Sequence, residues 1–271
     1  MQATPSTTSR KPKAMARTAP LDPATTHIDN ACYDSFGDGW WDRTGPAAGL
    51  HEINPLRFAY FDRIFATRLG PSIRQTGTFI DIGCGGGILT EALARTGYRI
   101  TGFDVSEPSL AAARRHAALA GVDVMYRSGS AYQLDVADGS VDGIVISDVL
   151  EHLHDLGRAA GEMARVLRPG GIVCFDTQNR TIRSYLLMIL AAERLLGMIP
   201  RKTHDWRMFI KPAELTSVFA AHGLAVGELR GMTPARSIPR VAWSAWRHKR
   251  FGEFALSNDL SVSYIGYAVR G

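Results

Sequence analysis

Asp148, Glu151 and His152 sit within the run ISDVLEHLHD at 146–155. They follow VDGIV, an apolar stretch that reads as a buried strand, so two carboxylates and an imidazole gather where that strand ends. Glu151 and His152 lie three and four residues after Asp148, one helical turn away, a spacing that lets all three side chains converge. One reading is a helix start, where acids are stabilised by the helix dipole; that accounts for Asp155 without further chemistry. A second is a site for a hard divalent ion of the magnesium type. The third is His152 as a general base. All three stay open on these residues alone.

A second constellation lies in the loop Asp81-Ile-Gly-Cys-Gly-Gly-Gly87, directly after another apolar strand. Glycines let a backbone turn sharply and come close to a ligand. Asp81 stands two positions before Gly83, where it would repel a phosphate and suit a cation. Asp104, 21 residues after Gly83 and at the end of the next strand, is placed to accept from both hydroxyls of a ribose. An acid before the loop, an acid after the second strand and no phosphate-binding residue point away from a dinucleotide. They point to S-adenosylmethionine (SAM), whose sulfonium and ammonium are positive. A third polar pair, His204-Asp205 in RKTHDW, belongs to a loop, where such neighbours are usually structural.

The elements that must position these groups alternate. TFIDIGCGGGILTEALARTG reads as strand, glycine turn and helix; YRITGFDVSEPSLAAARRHAALAG repeats the pattern. VDVMYRSGS, VDGIVISD and GGIVCFDTQN supply further strands, with a helix over 155–167. Strand–helix alternation predicts a doubly wound parallel α/β sheet. LAVGELRG and SVSYIGYAVRG add two strands near the end, the last suited to antiparallel pairing, and 55–69 has helical spacing.

Of 271 residues, 45% are hydrophobic and 21% charged, which suits one sizeable core. Cys32, Cys84 and Cys174 are odd in number and far apart, so neither a disulfide framework nor zinc spacing is implied, and a reducing, cytoplasm-like compartment is expected. The net charge of +5 is concentrated in a Ser/Thr/Pro-rich leader, residues 1–26, where four basic residues oppose one acid. That leader is expected to be disordered. No stretch reaches the roughly 18–20 apolar residues of a membrane span.

DIGCGGG, GFDVSEPSL, SDVLEHL and VLRPGG resemble motifs of class I SAM-dependent methyltransferases. More narrowly, WWDRTGPAAGLHEINPLRFAYF, VLEHLHD and DTQNRTIRSYLLMILAAERLLGMIP with RKTHDWRMFIKPAEL resemble the demethylubiquinol O-methyltransferase family, over about residues 27–230. The resemblance implies a Rossmann-like seven-stranded sheet, six strands parallel and one antiparallel. It also implies a phenolic acceptor on a polyprenylated ring, and cofactor contacts from Arg57, Gly83, Asp104 and the position of Ser147. Arg57 would neutralise the methionine carboxylate of SAM. The candidate cofactor set is thus Arg57, Asp81, Gly83, Cys84, Gly85, Asp104, Val105, Ser130 and Ser147. A phenol with pKa about 10 needs a base or a metal to become a nucleophile. The related quinol enzymes use magnesium through an acid-x-x-Glu-His pattern, which would make Asp148, Glu151 and His152 its ligands, Asp148 standing where the family has glutamate. Candidate catalytic residues are His152, Asp148, Glu151 and His204.

Two segments decorate the expected domain, residues 27–271. The first, about 180–206, carries the apolar run YLLMILAA flanked by basic residues, and is expected to act as a lid on a small hydrophobic aromatic substrate with peripheral membrane contact through 180–200. The second, about 234–254, holds Trp243, Trp246, Phe251 and basic residues. Basic-plus-aromatic composition also suits RNA, but DTQN after the fifth strand is not a base-amino motif. No nucleic-acid partner is expected.

Overall fold

The computed structural model describes residues 17–26 and 28–271. Eight strands form one sheet in the order β3-β2-β1-β4-β5-β8-β6-β7. They are β1 (Thr78–Ile82), β2 (Arg99–Asp104), β3 (Met125–Ser128), β4 (Val141–Ser147), β5 (Leu167–Gln178), β6 (Leu224–Pro234), β7 (Phe254–Ser257) and β8 (Ser263–Arg270). Pairs β2/β3, β1/β2, β1/β4 and β4/β5 are parallel, whereas β5/β8, β6/β8 and β6/β7 are antiparallel. β6 therefore runs with β1–β5, and β7 and β8 run against them. The sheet has one strand more than the seven expected. The extra strand, β7, closes the 234–254 insert and pairs along the edge of β6, which would otherwise offer unpaired backbone groups.

The helices are α1 (Ala48–Leu69), α2 (Ile73–Thr76), α3 (Ile88–Ala94), α4 (Glu107–Ala120), α5 (Leu156–Val166), α6 (Ile182–Ser184), α7 (Pro212–Ala221) and α8 (Ile238–His248). Helix α4 starts at Ser106, whose hydroxyl accepts from Ser109 N at 3.2 Å, and α5 starts at Asp155, which accepts from Arg158 N at 2.9 Å. Asp155 is thus a helix cap, as its position suggested. The central strands are buried on both faces, which is why they read as continuous apolar runs. Ile80, Ile82, Ile144 and Ile146 pack on one face with α5 and α7 residues Met163 and Phe219. Phe79, Val145 and Cys174 pack on the other with Tyr60, Phe61 and Phe65 of α1.

The expected leader, 1–26, falls partly within the described residues. Residues 1–16 lie outside the described residues, but 17–26 lie against the loop after β4. Arg17 is buried and donates to Leu153 O, and Leu21 N donates to His154 O at 2.9 Å. A basic side chain thus satisfies carbonyls that the turn leaves without partners. Burial, followed by the charge of Arg180, lowers its pKa to about 10. Among the described residues no helix is long and apolar enough to cross a membrane.

The segment expected to act as a lid is built on α6, capped by Thr181 and Ser184, and continues as a π-helix, Tyr185–Leu195. Trp206 Nε1 donates to Thr181 O at 2.8 Å, and Arg180 donates to Phe209 O at 3.2 Å and pairs with Glu214. These bonds tie both ends of the segment to the domain.

Candidate active site

The sheet order reverses between neighbouring strands β1 and β4, and their carboxyl ends frame a crevice where open α/β sheets bind ligands. The crevice leads into a cavity of about 1070 Å³. Its floor is the glycine loop. Gly83 has φ +73°, and a Cβ there would meet Val149 Cγ2 at 2.3 Å. Trp40 covers the loop so closely that a Cβ on Gly86 would lie 2.4 Å from its ring, and Trp41 Nε1 donates to Gly86 O at 2.9 Å. The glycines are therefore needed for this tryptophan roof as well as for a ligand.

Arg57, Asp81, Gly83, Cys84, Gly85, Asp104, Val105, Ser130 and Ser147 all line the cavity. Asp104 is oriented by the N–H groups of Gly85 and Ser106, each at 2.8 Å. Burial raises its pKa, with those amides opposing. Asp81 accepts from Thr90 Oγ1 at 2.6 Å, and burial pushes its pKa from 3.8 to about 7 against that bond. Acids that are costly to ionise in place are gathered where a cationic ligand would repay the cost.

Arg57 is the positive centre of this group. It is buried, donates to Asp176 Oδ2 at 2.7 Å and is ion-paired with Asp148. Burial alone would lower its pKa, but the two carboxylates outweigh burial and raise it. Burial would raise Asp148, and Arg57 outweighs it, so Asp148 is the charged acid of the set. Asp176, which also accepts from Ser147 Oγ, is pushed by burial to about 7. Asp148 has φ +52°, a left-handed conformation that costs a non-glycine residue about 1 kcal/mol. Its Oδ1 and Gln178 Oε1 are buried acceptors with no partner among the described residues, and both residues line the cavity. The acid-lined end, Asp104 with its amide-fixed carboxylate and the loop backbone at Gly83 fit SAM.

Asp148, Glu151 and His152 do not converge on one point. His152 and Asp148 line the cavity, whereas Glu151 does not. Its Oε2 accepts from Thr177 Oγ1 at 2.7 Å behind the cavity wall, and burial, with Asp148's charge adding, pushes its carboxyl well above the ordinary range. The convergence expected from helical spacing fails because 150–152 is a single 3-10 turn that follows the left-handed Asp148. One oxygen of Asp148 is paired with Arg57, and His152 Nδ1 donates to Asn30 Oδ1 at 3.0 Å. Among the described residues no group of three acid, histidine or cysteine side chains is arranged to hold a metal ion. The expected magnesium set does not fit, and Glu151 is not placed to touch a substrate.

His152 is held neutral, burial lowering its pKa to about 3. Because an amide oxygen can only accept, Nδ1 carries the hydrogen and Nε2 is an acceptor. His204 also lines the cavity, its ring centroid 5.6 Å from that of His152. Its sequence neighbour Asp205 caps Trp206–Met208 and pairs with Arg207, so the two are not a working pair. Asn30, Asp176 and Gln178 were not singled out in the sequence; the only signal for Asp176 was its place at the end of an apolar strand.

Comparison with known proteins fits this geometry. A family model described as a methyltransferase domain matches residues 80–175. The chain is 36% identical over 258 residues to the ubiquinone biosynthesis O-methyltransferase of Methylobacterium sp. (strain 4-46), covering 93% of this chain and 98% of that one. It is 37% identical over 261 residues to the protein of the same name from Azorhizobium caulinodans, covering 93% and 94%. The chain belongs to the ubiquinone biosynthesis O-methyltransferase family. It is a SAM-dependent O-methyltransferase. Solved structures with the same fold include magnesium protoporphyrin IX methyltransferase from Synechocystis with bound SAH, with a TM-score of 0.55 and 19% identity, covering 79% of this chain and 83% of that one. Another is the YcgJ protein of Bacillus, with a TM-score of 0.56 and 18% identity, covering 79% and 97%.

A carboxyl raised from 3.8 to about 7 on folding costs stability that grows as pH rises through that interval, because the native state then holds more protons than the unfolded one. Asp81→Asn should therefore melt higher than the wild type at pH 8, with the difference shrinking toward pH 5, and should bind SAM more weakly. Thermal melts at both pH values and calorimetric titration check this. Equal melting-temperature differences at the two pH values would contradict the assignment.

Proposed function

We propose that the methyl acceptor is a phenolic hydroxyl on a hydrophobic, ring-substituted catechol or quinol. The observation that carries this is the pairing of the two cavity-lining imidazoles, His152 and His204, with apolar walls from the lid and from α8. Leu187, Met188 and Leu196 of the lid and Val241, Ala242 and Ala245 of α8 line the same cavity as the acid-rich cofactor end. The names of the relatives support the quinol class.

SAM, when bound, supplies an electrophilic methyl group. The chain's own residues do the rest. Arg57 is the partner for the methionine carboxylate, and Asp104 for the ribose hydroxyls. His152, kept neutral, offers Nε2 as a hydrogen-bond acceptor that orients the acceptor hydroxyl. The lid and Trp40 exclude water, which would otherwise compete for the same acceptors. The long insert with α8 walls the acceptor end and sets which ring substituents fit.

The lid also supports contact with a lipid surface, from which an oily acceptor would be drawn. Ile182, Leu195, Trp243 and Trp246 are each more than half exposed, and Arg183, Arg194, Arg240 and Arg247 lie among them in sequence. Sedimentation with anionic vesicles checks this: the wild type should pellet, and Leu195→Glu with Trp243→Glu should remain in the supernatant.

The acceptor class is tested by methyl-transfer assays on prenylated and unprenylated catechols, a phenolic polyketide, an amine and a thiol, with and without EDTA. Turnover of a catechol, insensitive to EDTA and reduced about tenfold in His152→Ala by loss of one orienting hydrogen bond, is expected. Turnover of the amine or thiol alone would overturn the phenolic assignment, and loss of activity in EDTA would overturn the metal-free reading.

A further inference from the structure

Glu193 is an ionisable residue on the underside of an apolar helix. It belongs to the π-helix of the lid, beside Ile189 and Ala192, and all three are buried while Leu195 and Arg194 face outward. A carboxylate in that position is costly unless it is bonded. Its bonds go to the next loop: Oε1 accepts from Lys202 N at 2.6 Å and Oε2 from His204 N at 3.4 Å. Oε2 also lies 3.7 Å from His204 Nδ1, a buried nitrogen with no hydrogen-bond partner among the described residues. On other sides His204 meets the edge of Phe209, at 5.7 Å between centroids, and the ring of His152. Asp148 also interacts electrostatically with it.

We infer that Glu193 is a positioning residue: it accepts the Nδ1 hydrogen of His204 and so presents Nε2 to the cavity as the base for the acceptor hydroxyl. The inference rests on the phenolic reading above and assigns its proton transfer. The O–H bond of the acceptor breaks and its proton passes to His204 Nε2. The oxygen electron pair forms the bond to the methyl carbon, and the carbon–sulfur bond of the sulfonium breaks to leave a neutral thioether. A carboxylate behind an imidazole fixes its tautomer and stabilises the imidazolium that forms. The present 3.7 Å separation is one that closes when a substrate fills the space beneath the lid, as catalytic hydrogen bonds commonly do. His152, whose Nδ1 is backed by the neutral amide of Asn30 rather than by a carboxylate, is left to orient the hydroxyl. Because Glu193 rides on the lid, the base is complete only with the lid in place.

Glu193→Gln separates positioning from mere structure, since its amide oxygen still accepts from Lys202 N and keeps the loop attached. We expect kcat to fall about tenfold or more, with the dissociation constant for SAM unchanged. In a His204→Gln background the same change should have no further effect on kcat, because the two residues act as a unit. An additive loss in the double variant, or wild-type kcat in Glu193→Gln, would overturn the inference. A readout independent of any acceptor is the nitrogen-15 spectrum of His204. The wild type should show the Nδ1–H tautomer and Glu193→Gln should lose it; an Nε2–H tautomer in the wild type would overturn the inference even if no catechol is turned over. Conversely, the expected tautomer without turnover of any phenol would count against the acceptor class alone.

Discussion

The architecture of the site depends on one buried cation. Arg57, on α1, reaches across the top of the sheet to Asp148 after β4 and Asp176 on β5. Burying a guanidinium with two carboxylates is costly unless all three are paired, and removing one member leaves the others stranded. The pairing fixes how α1 lies over the sheet and holds Asp148 in its left-handed conformation, with one oxygen left free toward the cavity. Ser147 supports the far carboxylate of the set. With Asp176 raised by burial to about 7, the cluster gains from a cationic ligand that favours its ionised form.

That electrostatic arrangement divides the cavity. Toward β1 and β2 are Asp81 and Asp104, each raised by burial and restrained by hydrogen bonds, which suit a ligand with positive charge and ribose hydroxyls. Toward the lid and α8 the walls are largely apolar, and the imidazoles of His152 and His204 lie among them with Arg183, Arg236 and Lys249. Dry walls lower the dielectric around the reacting oxygen, so a single well-placed acceptor matters more there than in water. Acids, imidazoles and the unpartnered oxygens of Asp148 and Gln178 thus line one cavity.

Much of this was readable from residue order. Strand–helix alternation, the acid before the glycine loop and the acid ending β2 are local patterns, and each expresses a local constraint of the doubly wound sheet. The inference that Asp148, Glu151 and His152 converge went wrong because it assumed α-helical geometry; one positive φ at residue 148 followed by a 3-10 turn sends Glu151 to Thr177 instead. Asp176 and Asn30 gain their roles only through contacts across 119 and 122 residues of chain, which no local pattern reports. Glu193 read as the end of an apolar run. Its burial follows from the π-helical winding of the lid, which shifts side chains off the 3.6-residue period.

The most direct test of the central role of Arg57 compares two ligands on one variant. Arg57→Lys keeps the buried positive charge but loses the planar fork that can serve carboxylates on several sides. Calorimetry with SAM, and with methylthioadenosine, which lacks the amino-acid portion, would be run on the wild type and on this variant. The account predicts that SAM affinity falls about tenfold or more, as expected when a charge-assisted pair is lost, while methylthioadenosine binds as before. Equal losses for both ligands would show that Arg57 only holds the fold, and unchanged SAM affinity would contradict its place at the cofactor carboxylate.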